Sequence, residues 1–238
     1  MTLDDILAGL FPAGHSVQRQ GSMLFGEGAI GGMEVVDVVG IADGAMLGVE
    51  DALTLAGRVL GLLGQASPRP ILVLVDSASQ RMSRHDELMG LSEYLAHLAK
   101  SLLLAQQQGH RTVGLLYGGS AAGAFIATAL ACDTLLALPG AHPAVMDLPS
   151  MARVTKLPIA QLQDMAKATP VFAPGLENLA QTGAIHQTLD PTANLADQLL
   201  AVLRKAAGQD ERGGLGADRG GRPKAASIAA RIDALASA

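Results

Sequence analysis

Residues 111–138, RTVGLLYGGSAAGAFIATALACDTLLAL, decide how this chain is read. Thr112–Tyr117 is a short apolar run of the kind a buried strand shows, and Gly118–Gly123 is a turn of small residues. A helix is expected over Ala124–Ala131, and a second strand from Asp133. A strand that runs through a glycine-rich turn into a helix aims the N–H groups of the first helical turn at one spot. Those groups lack intrahelical partners, and the aligned peptide dipoles add partial positive charge there. Such a spot suits an oxygen that becomes negative during a reaction. From Thr112 to Cys132 there is no charged residue, a length that could cross a bilayer. The internal GGSAAG and the β-branched residues before it predict a buried strand and helix instead.

Outward on the N-terminal side, Ile71–Asp76 (ILVLVD) is a continuous apolar run ending in an acid, as expected for a buried strand that reaches the edge of a site. The polar loop SASQRMSRHDEL then leads into a long helix through Gln108. Its predicted apolar face is Leu88, Leu91, Leu95, Leu98, Leu102 and Leu103, and Gly109 is its stop. Further upstream, Ser22–Ile30 and Met33–Ala42 read as two strands joined at Gly31-Gly32. Glu50–Leu63 has a helical period, broken by Ser67-Pro68-Arg69-Pro70. Residues 2–10 read as an amphipathic helix with Thr2 as N-cap and Asp4 and Asp5 in its first turn.

On the C-terminal side, a loop through Ala141-His142-Pro143 precedes a short strand over Val145–Leu148. Pro149–Ala168 is predicted helical in two pieces broken at Pro158, a short helix starts near Pro174, and Asn194–Ala207 is an amphipathic helix. Residues 208–222, GQDERGGLGADRGGR, hold six glycines and many charges and predict a flexible linker. A last helix is expected over Lys224–Ser237. The organisation expected is thus a domain over 1–207, a linker over 208–222 and a helical segment over 223–238. Helices and strands alternate with polar or glycine-rich loops, which implies an α/β fold of stacked ββα-like units with sites at the strand ends.

At 238 residues the chain suits one large domain or one domain with an appendage. Hydrophobic residues are 49% and charged residues 16%, so some apolar surface is expected to be covered by another subunit. A net charge of −5 and 3% aromatic residues argue against nucleic-acid binding. The single cysteine, Cys132, has no internal disulfide partner, which fits a reducing compartment. MTLDDILAGLF carries acids where a signal peptide has a basic region, so a cytoplasmic protein is expected. There is no His/Cys/Asp cluster at ligand spacing, so no metal is expected.

GGSAAG fits none of the common glycine-loop motifs. Ser120 stands where the second glycine of G-x-G-x-x-G is required, no Lys-Ser/Thr follows Gly123, and Ala122 fills the last position of G-x-S-x-G. Turn chemistry alone is equally compatible with close helix–strand packing and no ligand. Arg81, Arg84, His85 and Asp86 gather at the start of the long helix. They suit a substrate carboxylate, a phosphate of a carrier arm or a partner subunit, and equally helix capping on a solvated face. His142 is a proton-donor candidate or a turn residue, and Arg153 and Lys156 are candidates for an anion or a solvated helix face.

The stretch YGGSAAGAFIATALACDTLLALPGA resembles the glycine-rich loop, buried helix and Cys-Asp strand start of the crotonase superfamily. The nearer likeness is to its carboxyltransferase branch, and within that to the gamma subunits of biotin-independent malonate decarboxylases. It runs through VDSASQRMSRHDELMGLSEYLAHLAK, the glycine turn, VMDLPSMARVTKLP and TPVFAPGLEN, over roughly residues 20 to 200. The resemblance implies a crotonase fold in which backbone N–H groups hold a thioester enolate oxygen. One hole falls on the amides of Ser79 and Gln80, with Ala78-Ser79 standing where carboxyltransferases carry Pro-Gly. The second falls on the amides of Gly123 and Ala124, with Gly118 and Gly119 making room. Arg81, Arg84 and His85 are then the residues to meet substrate.

The resemblance further implies decarboxylation of a malonyl thioester on an acyl-carrier protein to an acetyl thioester and CO2. No cofactor is implied beyond the carrier's prosthetic arm. The implied partners are a beta subunit, with the site between the subunits, and the acyl-carrier protein subunit. Self-association of the isolated chain also fits the superfamily. Two alternatives stay open: the matching subunit of a biotin-dependent acyl-CoA carboxylase or decarboxylase, and a non-catalytic scaffold. A Clp-type serine protease shares the superfold, but aligning on Gly123-Ala124-Phe125 puts Ala121 at the nucleophile position and leaves Ser120 one residue off.

Overall fold

The computed structural model describes residues 1–31, 34–65, 67–168, 173–205 and 210–237. The chain starts with α1 (Leu3–Leu10), β1 (Gln18–Gln20), β2 (Met23–Gly31), β3 (Glu34–Leu47) and α2 (Val49–Leu62). It continues through β4 (Ile71–Gln80), α3 (Arg84–Met89), α4 (Leu91–Gln107), β5 (Thr112–Leu116), β6 (Gly119–Ala121) and α5 (Ala122–Ala127). Then follow β7 (Thr134–Ala137), β8 (His142–Ala144), α6 (Leu148–Thr155), α7 (Ile159–Ala168) and α8 (Leu176–Gln181). The last elements are β9 (Gln187–Thr188), α9 (Leu195–Leu203), α10 (Arg212–Asp218) and α11 (Ala225–Ala236).

The run Ile71–Val75 explains the layering. Successive strand side chains point to opposite faces, so an unbroken apolar run must be covered on both. Ile71, Val73 and Val75 pack in a core with Leu55 of α2, Leu98 of α4 and Phe125 of α5. Leu72 and Leu74 pack in a second core with Ile6 and Leu10 of α1 and Leu199 of α9. Each such fully buried side chain contributes about 1.5–3 kcal/mol. The sheet between the cores has the order β1-β2-β3-β4-β5-β7-β9. Its β1–β2–β3 edge is antiparallel, and the strands from β3 to β9 are parallel. A small parallel sheet pairs β6 with β8. Those two are the second strands of the successive units β5-β6-α5 and β7-β8-α6, so the stacked ββα organisation predicted from sequence is present there.

Several boundaries differ from the sequence reading. The loop expected after Asp76 is strand as far as Gln80, because β4 keeps pairing with β3 past an irregularity, with Ala45 opposite Ser77 and Leu47 opposite Gln80. The long helix is two helices, parted at Gly90, whose φ of 83° takes the left-handed conformation. Leu88 falls on the separate α3 and is exposed, and Leu103 is exposed as well; Leu91, Leu95, Leu98 and Leu102 form the buried face. The strand expected at Val145–Leu148 lies earlier, at His142–Ala144, where β6 supplies its partner. Gly32 and Met33 of the expected hairpin, and Ala206 and Ala207 at the expected end of the α9 helix, lie outside the described residues.

The stretch expected to be a flexible linker contains α10, and that helix is docked. Arg219 donates to the carbonyls of Ala180, Ile185 and His186, and Arg212 donates to the Leu130 carbonyl at 2.9 Å. Guanidinium groups on backbone carbonyls, three of them at and after the end of α8, anchor a glycine-rich segment with few apolar side chains. Gly208 and Gln209 of that stretch lie outside the described residues. The terminal helix is present as α11, with Ile228, Ile232 and Leu235 exposed. No helix among the described residues is long and apolar enough to cross a membrane.

Candidate active site

The parallel strands β4 and β5 end side by side, and the segments that leave them build the site. After β5 the chain turns through Tyr117-Gly118 into β6, then enters α5 with almost no transition. Ala121 is extended, at φ −137° and ψ 158°, and Ala122 already has φ 51°. A left-handed alanine costs free energy, and such residues concentrate where a backbone must be aimed. Here it points the first turn of α5 at the end of β4.

The two segments meet at Gln80 and Gly123. The Gly123 N–H donates to Oε1 of Gln80 at 2.8 Å. Gln80 is fixed from its own side, since it pairs with Leu47 in the sheet and the next N–H, of Arg81, donates to the Leu47 carbonyl at 2.8 Å. The space around Gly123 is tight: a Cβ there would lie 2.9 Å from Cδ1 of Leu95 and 3.3 Å from Oε1 of Gln80. The Ser79 hydroxyl donates to the Gln80 carbonyl at 3.0 Å. The structure therefore joins Gln80 and Gly123, two positions expected in separate holes, at one spot. Ala124 follows directly and is fully buried in the first turn of α5. Among the described residues no acceptor within the protein receives its N–H.

Gly118 makes room for this chain's own Asp76, and Gly119 for His142 and the Ser77 carbonyl. One carboxylate oxygen of Asp76 accepts from the Gly119 N–H at 3.0 Å, and the other accepts from the Gly44 N–H at 3.2 Å. A Cβ on Gly118 would overlap the Asp76 carboxylate, and one on Gly119 would sit 2.9 Å from Nε2 of His142. Burial raises the Tyr117 hydroxyl far above its ordinary pKa, and the charge of Asp76 adds to this. Beneath the turn, the hydroxyls of Ser77 and Ser120 share a buried hydrogen bond of 2.9 Å. Among the described residues the Ser120 hydroxyl bonds to Ser77 and to no base.

Arg81, expected to meet substrate, is committed to neighbouring carboxylates. Its Nε donates to Asp86 at 2.9 Å, and its Nη2 donates to Asp86 at 3.1 Å and to Glu50 at 2.7 Å. Asp86 is buried and also accepts from the Ser83 hydroxyl and from the Val49 N–H at 2.9 Å. Arg81 first, then Ser83 and the Val49 N–H, hold the Asp86 carboxyl well below the usual carboxylate range. Buried Asp86, with partly exposed Arg81 on it, ties α3 to the start of α2. Arg84 and His85 lie exposed on α3, with Nε2 of His85 3.6 Å from Oε1 of Glu50.

Sequence reasoning missed the Asp76 anchor and the Gln80 side chain. The acid that ends ILVLVD was the available signal for the first. Nothing in the sequence signalled the second, because only the three-dimensional turn sets an amide oxygen on a backbone N–H. A cavity of about 720 Å³ opens elsewhere, between Leu130, Val145, Met151, Leu179 and the C-terminal helices, and none of the expected site residues lines it.

Residues 42–236 match the family described as malonate decarboxylase gamma subunit. A malonyl-S-ACP:biotin-protein carboxyltransferase of Malonomonas rubra is 31% identical over 179 residues, which are 69% of this chain. The chain spans 61% of the length of that relative. Among solved structures, a Pseudomonas malonate decarboxylase hetero-tetramer in complex with coenzyme A matches with a TM-score of 0.79 and 24% identity, over 98% of this chain and 97% of that one. The Pseudomonas malonate decarboxylase MdcD-MdcE hetero-dimer matches with a TM-score of 0.75 and 24% identity, over 96% of each chain. Transcarboxylase 12S matches with a TM-score of 0.67 and 17% identity, over 84% of this chain and 39% of that one. The architecture is thus the crotonase-like fold of the carboxyltransferases.

Proposed function

The chain belongs to the malonate decarboxylase gamma subunit family, and we propose that it acts with a beta subunit to decarboxylate a malonyl thioester carried on an acyl-carrier protein. Loss of CO2 breaks the bond between the carboxylate carbon and the central carbon and leaves its electron pair as an enolate. The negative charge of that enolate rests largely on the thioester oxygen. Donors fixed in place before the reaction stabilise it without reorganising, and the loss of one such donor typically costs about 3–4 kcal/mol of transition-state stabilisation. The backbone amides of Ser79, Gln80 and Ala124 are the donors assigned to this task, and the N–H of Gly123, expected to be a fourth, is taken by the Gln80 side chain.

The observation that carries this reading is the contact of Gly123 with Gln80. At the junction of β4 and α5, the Gly123 N–H holds the amide oxygen of Gln80 at 2.8 Å, which fixes the Gln80 side chain at the start of α5. Protonation of the carbanion completes the reaction, so the chain needs no cofactor of its own, and the prosthetic arm belongs to the carrier protein. The beta subunit supplies the other wall of the site, and the reaction takes place in the cytoplasm.

The name of the Malonomonas rubra relative describes passing the carboxyl group to a biotin protein. That alternative differs only in the fate of the carboxyl group. The test is CO2 release from malonyl-acyl-carrier protein by the co-expressed beta–gamma complex, with avidin present to sequester biotin. The reading predicts turnover that avidin leaves unchanged. Strict dependence on a biotin protein would overturn it in favour of carboxyl transfer.

A further inference from the structure

We propose that the side-chain amide of Gln80 is itself a substrate-binding group, one that presents its NH2 to the malonyl carboxylate. This rests on the malonyl-thioester reading above and extends it from backbone amides to a side chain. An N–H can donate only to the oxygen of a carboxamide, so the 2.8 Å contact with Gly123 fixes which way round the Gln80 amide lies. Oε1 faces Gly123, and Nε2 with its two N–H bonds faces away from it. Among the described residues nothing in the protein accepts from Nε2, and Gln80 is only partly buried, so a ligand can reach it.

The rest of the surroundings hold this donor still. The backbone of Gln80 is pinned by Leu47, and its carbonyl is taken by the Ser79 hydroxyl. Accepting from Gly123 polarises the amide and strengthens its own N–H donors. The cation next in sequence, Arg81, is turned to Asp86 and Glu50 and is held there. A neutral amide also suits this reaction better than a guanidinium. The carboxylate must leave as neutral CO2, and a strong ion pair would stabilise the charge that has to disappear. Gln80 therefore binds the carboxylate end of the malonyl group, and the Gly123 N–H acts through it by holding its amide oxygen.

The test uses the beta–gamma complex with Gln80→Met, which keeps the length of the side chain and removes the amide. Turnover of malonyl thioester is measured together with inhibition by acetyl thioester, which lacks the carboxylate. Loss of a hydrogen bond to a charged group predicts about a 10- to 100-fold fall in kcat/KM for the malonyl substrate, with the acetyl inhibition constant within about twofold of wild type. Turnover equal to or above wild type would overturn the proposal, since Gln80 would then be an obstacle or a bystander. Equal weakening towards both thioesters would also overturn it, since that marks a purely structural role.

Should Gln80→Met fail to assemble, Gln80→Glu keeps an acceptor for the Gly123 N–H and replaces the donors by a negative charge. It is predicted to weaken malonyl thioester at least as much as the Met variant, again sparing the acetyl compound. Wild-type kinetics in that variant would overturn the proposal. If the wild-type complex turns over malonyl thioester and the variants behave like it, only this inference fails. If the wild-type complex has no such activity, the underlying reading fails.

Discussion

Asp76 accepts a hydrogen bond from the Gly119 N–H at 3.0 Å, which ties the end of β4 to the turn after β5. Its other oxygen reaches the Gly44 N–H near the end of the neighbouring strand β3, so one carboxylate gathers three segments. Gly118 is small because of it. Gly118→Ala drives a methyl group into that carboxylate and is predicted to cost about 1–3 kcal/mol, the usual penalty of overpacking. Asp76→Ala leaves two N–H groups without their acceptor and is predicted to cost a comparable amount. Urea unfolding measures both. A Gly118→Ala protein as stable as wild type would contradict this account of the turn.

The buried pair Ser77 and Ser120 offers a cleaner arithmetic. Removing one hydroxyl strands the other, which costs about 1–3 kcal/mol, whereas removing both leaves nothing to satisfy. Ser77→Ala/Ser120→Ala is therefore predicted to cost less than the two single changes added together. Ser120→Ala is also predicted to retain the turnover of the complex. A fall of several thousandfold would restore Ser120 as a nucleophile.

Asp86 sets a pH dependence. Its pKa is lowered in the folded chain by Arg81, Ser83 and the Val49 N–H. A depressed carboxyl contributes stability that is fully present above its unfolded value, about 3.9, and is lost as pH falls through the folded one. The advantage of wild type over Asp86→Asn should thus shrink between about pH 6 and pH 3, as urea midpoints at the two pH values would show. Arg81→Met should lower the melting temperature. A gap between Asp86→Asn and wild type that stays constant over this range would show that the carboxylate is not the stabilising form.

Cys132 is 2% exposed, and burial pushes its thiol far above the ordinary value. The thiolate is the reactive form, so this cysteine should resist alkylation in the native chain and react on unfolding. Mass-spectrometric labelling with iodoacetamide with and without urea checks this. Rapid native labelling would mean that the start of β7 opens readily.

The parts of the fold that were legible in the sequence are those that repeat a period. ILVLVD and TVGLLY were readable as strands because both faces of each are covered by apolar side chains. Thr2 was readable as a cap because the capping partner Asp5 lies three residues on. Features set by pairing with distant segments were not legible. The strand character of Ser77–Gln80 depends on Ala45 and Leu47, and β8 exists because β6 lies beside it. At the site, the small-residue turn before α5 could be read from the residues, while the choice of Gly123 within it rested on the family resemblance. The commitment of Arg81 to Asp86 and the reach of Gln80 to Gly123 could not, because side-chain partners are chosen by space rather than by spacing.

The most direct test of the central claim is turnover of malonyl-acyl-carrier protein by a beta–gamma complex carrying Gly123→Val. The added side chain collides with Leu95 and displaces Gln80 from the backbone N–H. If the reaction depends on this spot, CO2 release should fall by about 10- to 100-fold, the effect of losing the placed Gln80 amide, while size-exclusion chromatography shows the complex still assembled. Unchanged turnover in an assembled complex would contradict the account and leave this chain as a scaffold for its partner.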